Sequence, residues 1–156
     1  MGLFPLILMF PILLAVGYSD LRNMRIPNAL SIVAVIIFIA TAFMLPLHEV
    51  GLRLIASLVT LLIGFVAFAL RIFGGGDIKI LAALMLFIPS QTLALFAFVI
   101  SASILVGIGL VMTLRTAPGA QQSNWKSLQA KAKFPMGISI SLAGLLHPFL
   151  VSALQI

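Results

Sequence analysis

The chain has 156 residues, of which 63% are hydrophobic and only 8% charged, and it carries a formal net charge of +6. Such a composition excludes an ordinary soluble domain and points to an integral membrane protein. Its basic residues sit in short stretches between apolar runs, as in loops on the inner side of a membrane, and not on a nucleic-acid-binding stripe. With no cysteine, disulfides, thiolate metal sites and cysteine nucleophiles are all excluded, so the chemistry must come from oxygen and nitrogen groups.

Six apolar segments follow one another: Leu3 to Tyr18, Ala29 to Leu47, Leu52 to Leu70, Ile78 to Ile88, Thr92 to Leu114 and Pro135 to Leu154. Backbone groups in lipid must be satisfied within the protein, and strict two-residue alternation is absent, so these segments read as helices and not as barrel strands. The predicted fold class is all-α, a polytopic membrane helix bundle of about six transmembrane helices, with residues 1–156 forming a single transmembrane domain. No Lys or Arg precedes the first segment, and Arg22 follows it, the reverse of the order in a cleaved signal peptide. Ile78 to Ile88 is the weak member: at about 1.5 Å per residue it reaches only about 16 Å, short of a hydrocarbon core of about 30 Å. It is expected to cross where the bilayer thins or where protein surrounds it.

If all six segments cross, Arg22, Arg25, Arg71, Lys79, Arg115, Lys126, Lys131 and Lys133 fall on one side and Arg53 alone on the other. That asymmetry predicts a cytoplasmic location for the eight, with both termini outside. Within the polar stretch Arg115 to Lys133, Trp125, Leu128 and Ala132 can share one helix face, which suits either a short helix on an anionic leaflet or a solvated loop. Small residues four apart, Ser103 with Gly107 and Gly137 with Ser141, are suited to close helix packing.

Only three acidic residues occur, Asp20, Glu49 and Asp77. Acids are costly near a membrane, so each asks for a reason. Asp20 opens the stretch Asp20-Leu21-Arg22-Asn23-Met24-Arg25-Ile26-Pro27-Asn28, in which Pro27 breaks the helix and a new one begins near Pro27 or Asn28. Taken alone, Asp20 reads as a helix terminator paired with Arg22 at the surface. Asp77 closes Gly74-Gly75-Gly76-Asp77-Ile78-Lys79, where three glycines permit tight turns and close backbone approach, and the acid stands at a helix N-terminus; taken alone, it reads as an N-cap. Missing Gly-Lys-Ser and Gly-Lys-Thr sequences argue against a phosphate loop. The expected topology puts both aspartates at one membrane boundary. Two carboxyls sharing a site do not both ionise easily, so one can hold a proton while the other acts as a base, as water-mediated peptide hydrolysis requires.

These residues carry a resemblance. Asp20 with Ile26-Pro27-Asn28, then Gly74-Gly75-Gly76-Asp77-Ile78-Lys79, then Lys133-Phe134-Pro135-Met136-Gly137-Ile138-Ser139-Ile140, resemble the type IV prepilin peptidases, membrane aspartyl proteases with a Gly-x-Gly-Asp motif. The resemblance spans nearly the whole chain and implies that Asp20 and Asp77 are catalytic, with Pro27, Asn28, Gly74, Gly75, Gly76 and Lys79 as supporting motif residues. It further implies a transmembrane peptidase domain in a bacterial inner membrane that cleaves a short basic leader from prepilins and pilin-like substrates at the cytoplasmic face. Longer family members carry a cysteine-rich zinc-binding insertion associated with N-methylation. This chain has neither the cysteines nor the space for it, and so is similar to the short, peptidase-only CpaA/TadV-like branch that matures Flp-type pilins. No cofactor, no metal and no methyl transfer are expected.

Other polar residues have weaker claims. Lys79, Arg22 and Arg25 suit the interface with membrane lipids, their partners at the headgroups. His48 and Glu49 fall on the opposite face and are excluded from catalysis. His147, beside Pro148, reads as a packed or hydrogen-bonded helix residue, with no second histidine placed to complete a metal site. Two rival functions remain: an ion- or proton-coupled transporter with paired aspartates near the bilayer midplane, and a noncatalytic assembly subunit needing neither acid.

Overall fold

The computed structural model describes residues 3–117, 124–129 and 134–155. Among these, all regular structure is helical: α1 (Phe4–Leu8), α2 (Phe10–Asn23), α3 (Asn28–Ala42), α4 (Leu47–Ala69), α5 (Gly75–Met85), a 3₁₀ turn (Ser90–Thr92), α6 (Leu93–Thr116), α7 (Lys126–Gln129) and α8 (Met136–Leu154). The all-α membrane bundle read from the apolar runs holds. α4, α6 and α8 are long and apolar enough to cross a membrane, and α3 is a shorter apolar helix. Large apolar side chains along α4 and α6, including Ile63, Phe65, Phe98 and Leu105, are exposed as lipid-facing residues should be.

Prolines punctuate the chain. Pro11 lacks the N–H that would bond to Ile7, which separates α1 from α2 at Met9. Pro27, Pro46 and Pro135 occupy the N-caps of α3, α4 and α8 in extended backbone conformations. The bundle is built on two packed cores of contact: α8 lies between α2 and α6, while α5 lies against α4, α3 and α8. Buried Leu13, Val16, Ile80, Leu84, Phe87 and Ile140 fill the space between them. α5 is short because it has no need to match the bilayer. Ile78, Ile80, Ala82, Ala83 and Leu84 are buried in protein, so its length is set by its neighbours.

Small residues make these seams close. A Cβ on Gly107 would lie 2.4 Å from Ser139 Oγ, and one on Gly17 would lie 3.2 Å from Ser141 Oγ, so α8 approaches both of its neighbours through small side chains. Gly64 does the same for α4 and α5, where a Cβ would fall 2.4 Å from Ile78.

Two boundaries differ from the sequence reading. α3 ends at Ala42 and α4 begins at Leu47, whereas the apolar run suggested an end near Leu47 and a start at Leu52. The reason is chemical: Glu49 and Arg53, which interrupt the hydropathy, sit one turn apart and satisfy each other at 3.0 Å. Arg53 is buried, donates to the Phe87 carbonyl at 3.2 Å, and is no solvated loop charge. Glu49 also accepts from the Ser90 amide and hydroxyl at 2.8 and 2.7 Å, clamping the α5–α6 connection to the start of α4. At the same end, His147 Nε2 and Thr92 Oγ1 are 3.0 Å apart and the imidazole stands edge-on to Phe96, so the histidine is a packed helix residue as read.

Candidate functional site

The opposite end of the bundle gathers the C-terminus of α2, the α2–α3 connection, the glycine run and the N-terminus of α8. α2 continues one turn beyond Asp20 and stops at Met24, a left-handed residue whose amide bonds back to the Asp20 carbonyl at 2.8 Å. Asp20 therefore lies inside the last turn, with its side chain directed into the bundle and only 4% exposed. It is not paired with Arg22 at the surface: Arg22 donates to Tyr18 Oη at 2.7 Å instead.

The partner of Asp20 comes from the far end of the sequence. One carboxylate oxygen accepts the Gly137 amide at 2.6 Å, and the neighbouring Ile138 amide interacts favourably with the carboxylate. These are orphan donors of the first turn of α8, at the positive end of its dipole. Gly137 is required for the approach, because a Cβ there would fall 2.8 Å from Asp20 Cβ and 2.9 Å from its Oδ2. The sequence reading valued Gly137 for helix packing and as part of the stretch resembling the family, but did not connect it with Asp20. Pro135 ahead of a helix start signalled free amides there, but nothing in the sequence paired them with position 20.

Asp77 stands in the first turn of α5, not at its N-cap, which is Gly74. Its carboxylate folds back beside Gly74 and interacts favourably with that residue's amide. A Cβ on Gly74 would fall 2.7 Å from Asp77 Oδ2, so the glycine clears space for the acid. Gly76 has a different task. A Cβ there would meet Cβ and the carbonyl oxygen of Ile26 at 3.3 Å, so the bare backbone lets α5 nest against the chain just before Pro27. Gly75 meets only the Phe68 ring, at an ordinary 3.5 Å.

Through this nesting the two aspartates come to one end of the bundle although they belong to separate motifs: Ile26 lies against Gly76, next to Asp77, and against Gly137, which holds Asp20. Asp20 is enclosed, whereas Asp77 is half-buried and opens on a cavity of about 300 Å³ edged by Phe73, Met136 and Ile140. The arrangement offers a fixed, amide-held carboxyl beside one that a ligand can reach. Lys79 does not serve the pair directly: its Nζ donates to Asn28 Oδ1 at 3.1 Å on the exposed rim, bridging α5 to the start of α3. Pro27 and Asn28 begin α3 directly after the loop residue Ile26.

α7 caps this end. Ser127 donates its hydroxyl to the Leu21 carbonyl, Arg115 Nε donates to the Ser127 carbonyl at 3.0 Å, and Trp125 stands edge-on to Tyr18. This part of the polar stretch is docked on α2 as a four-residue helix. Ala132, Lys131 and Lys133 lie outside the described residues.

Over residues 7–112 the chain matches the model of the type IV leader peptidase family. The chain belongs to the type IV leader peptidase family. The matched residues run from α1 into α6 and include both aspartates with the loops that carry them, while α8, the source of the amides on Asp20, lies beyond. No curated protein and no solved structure matches this leader peptidase.

Proposed function

We propose that this leader peptidase is an aspartyl endopeptidase in which Asp20 and Asp77 together activate water. One carboxylate takes a proton from water as its oxygen attacks the scissile carbonyl. The other carboxyl, protonated, polarises that carbonyl and keeps the tetrahedral intermediate neutral. Collapse then breaks the C–N bond, and the departing amine receives the proton that water lost. Family membership supports the leader-peptidase role, and the observation that carries the mechanism is the convergence of the two acids from distant segments at one end of the bundle, where Ile26 lies against both Gly76 and Gly137.

The cytoplasmic face is the proposed location of that end. Arg22, Arg25, Arg71, Lys79, Arg115 and Lys126 all belong to it by helix order, whereas Arg53 at the other end is consumed by Glu49. The proposed substrates are prepilins of the Flp type, cut before their apolar helix in the bacterial inner membrane, with no methyl transfer to the product. The transport reading predicted acids near the midplane; both aspartates lie in terminal turns at the same end, which does not favour it.

The test is incubation of the purified protein in liposomes with a prepilin, following the leader by mass spectrometry. Asp20→Asn and Asp77→Asn should each lower the cleavage rate by about 10²-fold to 10⁴-fold. Normal cleavage by either variant overturns the mechanism. Single cysteines at Asn23 and Gly75, introduced into the cysteine-free chain, should both label from the cytoplasm; labelling from opposite sides overturns the shared location.

A further inference from the structure

α4 packs against α5 but makes no extensive contact with α6, and the space between α4 and α6 is an apolar groove to which α5 contributes Leu81 and Met85. Its lower part, about 740 Å³, begins at Ser90 and Gln91 and is walled by exposed Val59 of α4 and Ala97 of α6. Its upper part is the cavity of about 300 Å³ on which Asp77 opens. Thr60, Leu81 and Ile100 line both parts, so the two form one channel along α5 that ends at the Asp77 carboxyl.

We propose that this groove seats the apolar transmembrane helix of the substrate, with the N-terminus of that helix at Asp77. The inference rests on the leader-peptidase reading and adds the place and orientation in which the substrate binds. Three features favour a helix as the occupant. The floor follows α5, whose 11 residues span about 16 Å at about 1.5 Å each, room for three turns of a guest helix beside it. The walls include Thr60, Ala97 and Ala56, side chains small enough for a second backbone to come close. The charge at the closed end is complementary: a carboxylate attracts the positive N-terminus of a helix, whereas it repels the phosphate of a lipid headgroup. A helix held this way presents the peptide bond just before its first turn to Asp77, and Asp20 stands behind it.

The experiment uses the full chain in liposomes with a full-length prepilin. Val59→Trp and Ala97→Trp fill the groove, while Val66→Trp and Leu105→Trp place the same bulk on exposed faces of α4 and α6 that do not line it. Groove variants should raise KM for the prepilin by about tenfold with kcat nearly kept, because they remove binding and not chemistry, and the outer variants should match the unmodified protein. In an Asp20→Asn background, which keeps the Asp77 carboxyl, Ile63→Cys and Ala97→Cys should cross-link to a cysteine in the prepilin helix, and Leu105→Cys should not. Cross-linking decides the matter where a tryptophan variant fails to fold. Unchanged KM with no selective cross-link overturns the groove, including the case in which lipid fills it. If the unmodified protein leaves the prepilin uncut, the leader-peptidase reading fails instead, and selective cross-linking would still mark the groove as a helix site.

Discussion

The backbone amide of Gly137 lies 2.6 Å from a carboxylate oxygen of Asp20, across 117 positions of sequence. It joins the last helix to the second at the point where no side chain fits between them. Replacing Gly137 by Ala puts a methyl group 2.9 Å from that oxygen, so either α8 withdraws or the carboxylate moves. The expected cost is about 1–3 kcal/mol of stability, as for other overpacked contacts. On the proposed mechanism, leader cleavage should fall by about tenfold or more beyond what the folded fraction explains, since a misplaced catalytic group loses rate steeply. Cleavage per folded molecule, measured alongside thermal unfolding, checks this; an unchanged rate removes Gly137 from the site.

Neighbouring glycines should behave differently. Gly75→Ala meets only the Phe68 ring at a normal distance and lies within the first turn of α5, so the gain in helix propensity leaves stability equal or raised by under about 1 kcal/mol. Gly76→Ala instead presses on the backbone of Ile26, forcing apart the two segments that bring Asp77 to Asp20. Its cleavage rate should drop severalfold more than that of Gly75→Ala, in side-by-side assays at equal folded concentration. Equal rates would show that the nesting of α5 on Ile26 has no part in activity.

At the far end, Arg53 and Glu49 should matter for stability and not for chemistry. Glu49→Ala leaves the buried guanidinium without its carboxylate and also strips the Ser90 amide of its acceptor, a loss of about 3–5 kcal/mol. Arg53→Met should cost less, because it replaces the buried charge with an apolar chain of similar length and Glu49 keeps Ser90. Denaturant unfolding in mild detergent would rank the two. Surviving folded protein should cut prepilin at the normal rate in both.

Lys79 and Asn28 form a bridge on the exposed rim, and rim bridges are weak. Lys79→Ala and Asn28→Ala should each change the cleavage rate by no more than about threefold, with no additional loss in the double variant beyond that shared contact. A hundredfold loss with Lys79→Ala would instead require the ammonium to act on the aspartate pair.

Much of the bundle was legible because lipid leaves a chain few choices. Long apolar runs without alternation had to be helices, and prolines at 27 and 135 marked two of their starts, whereas Pro46 was read through as part of an apolar run. Where hydropathy misplaced a boundary, at the start of α4, the cause was a pair of charges that neutralise each other one turn apart, which a running average reads as polar loop. The acids stood out because so few exist in an apolar chain. Their immediate loops were legible too, since Pro27 and the three glycines are residues whose backbone restrictions are strong. Three other contacts were hidden: the amide of Gly137 on Asp20, the seat of Gly76 on Ile26, and the burial of Arg53. Each joins segments far apart along the chain through backbone atoms or a single long side chain, and one-dimensional periodicity carries no information about such pairings.

Because α8 supplies the amide that holds Asp20, a ribosome delivers the acid 117 positions before its holder. Domains assemble from the N-terminus during synthesis. On the proposed mechanism, a nascent chain that lacks α8 owns both acids but not the amide that positions one of them, so full proteolytic competence awaits α8.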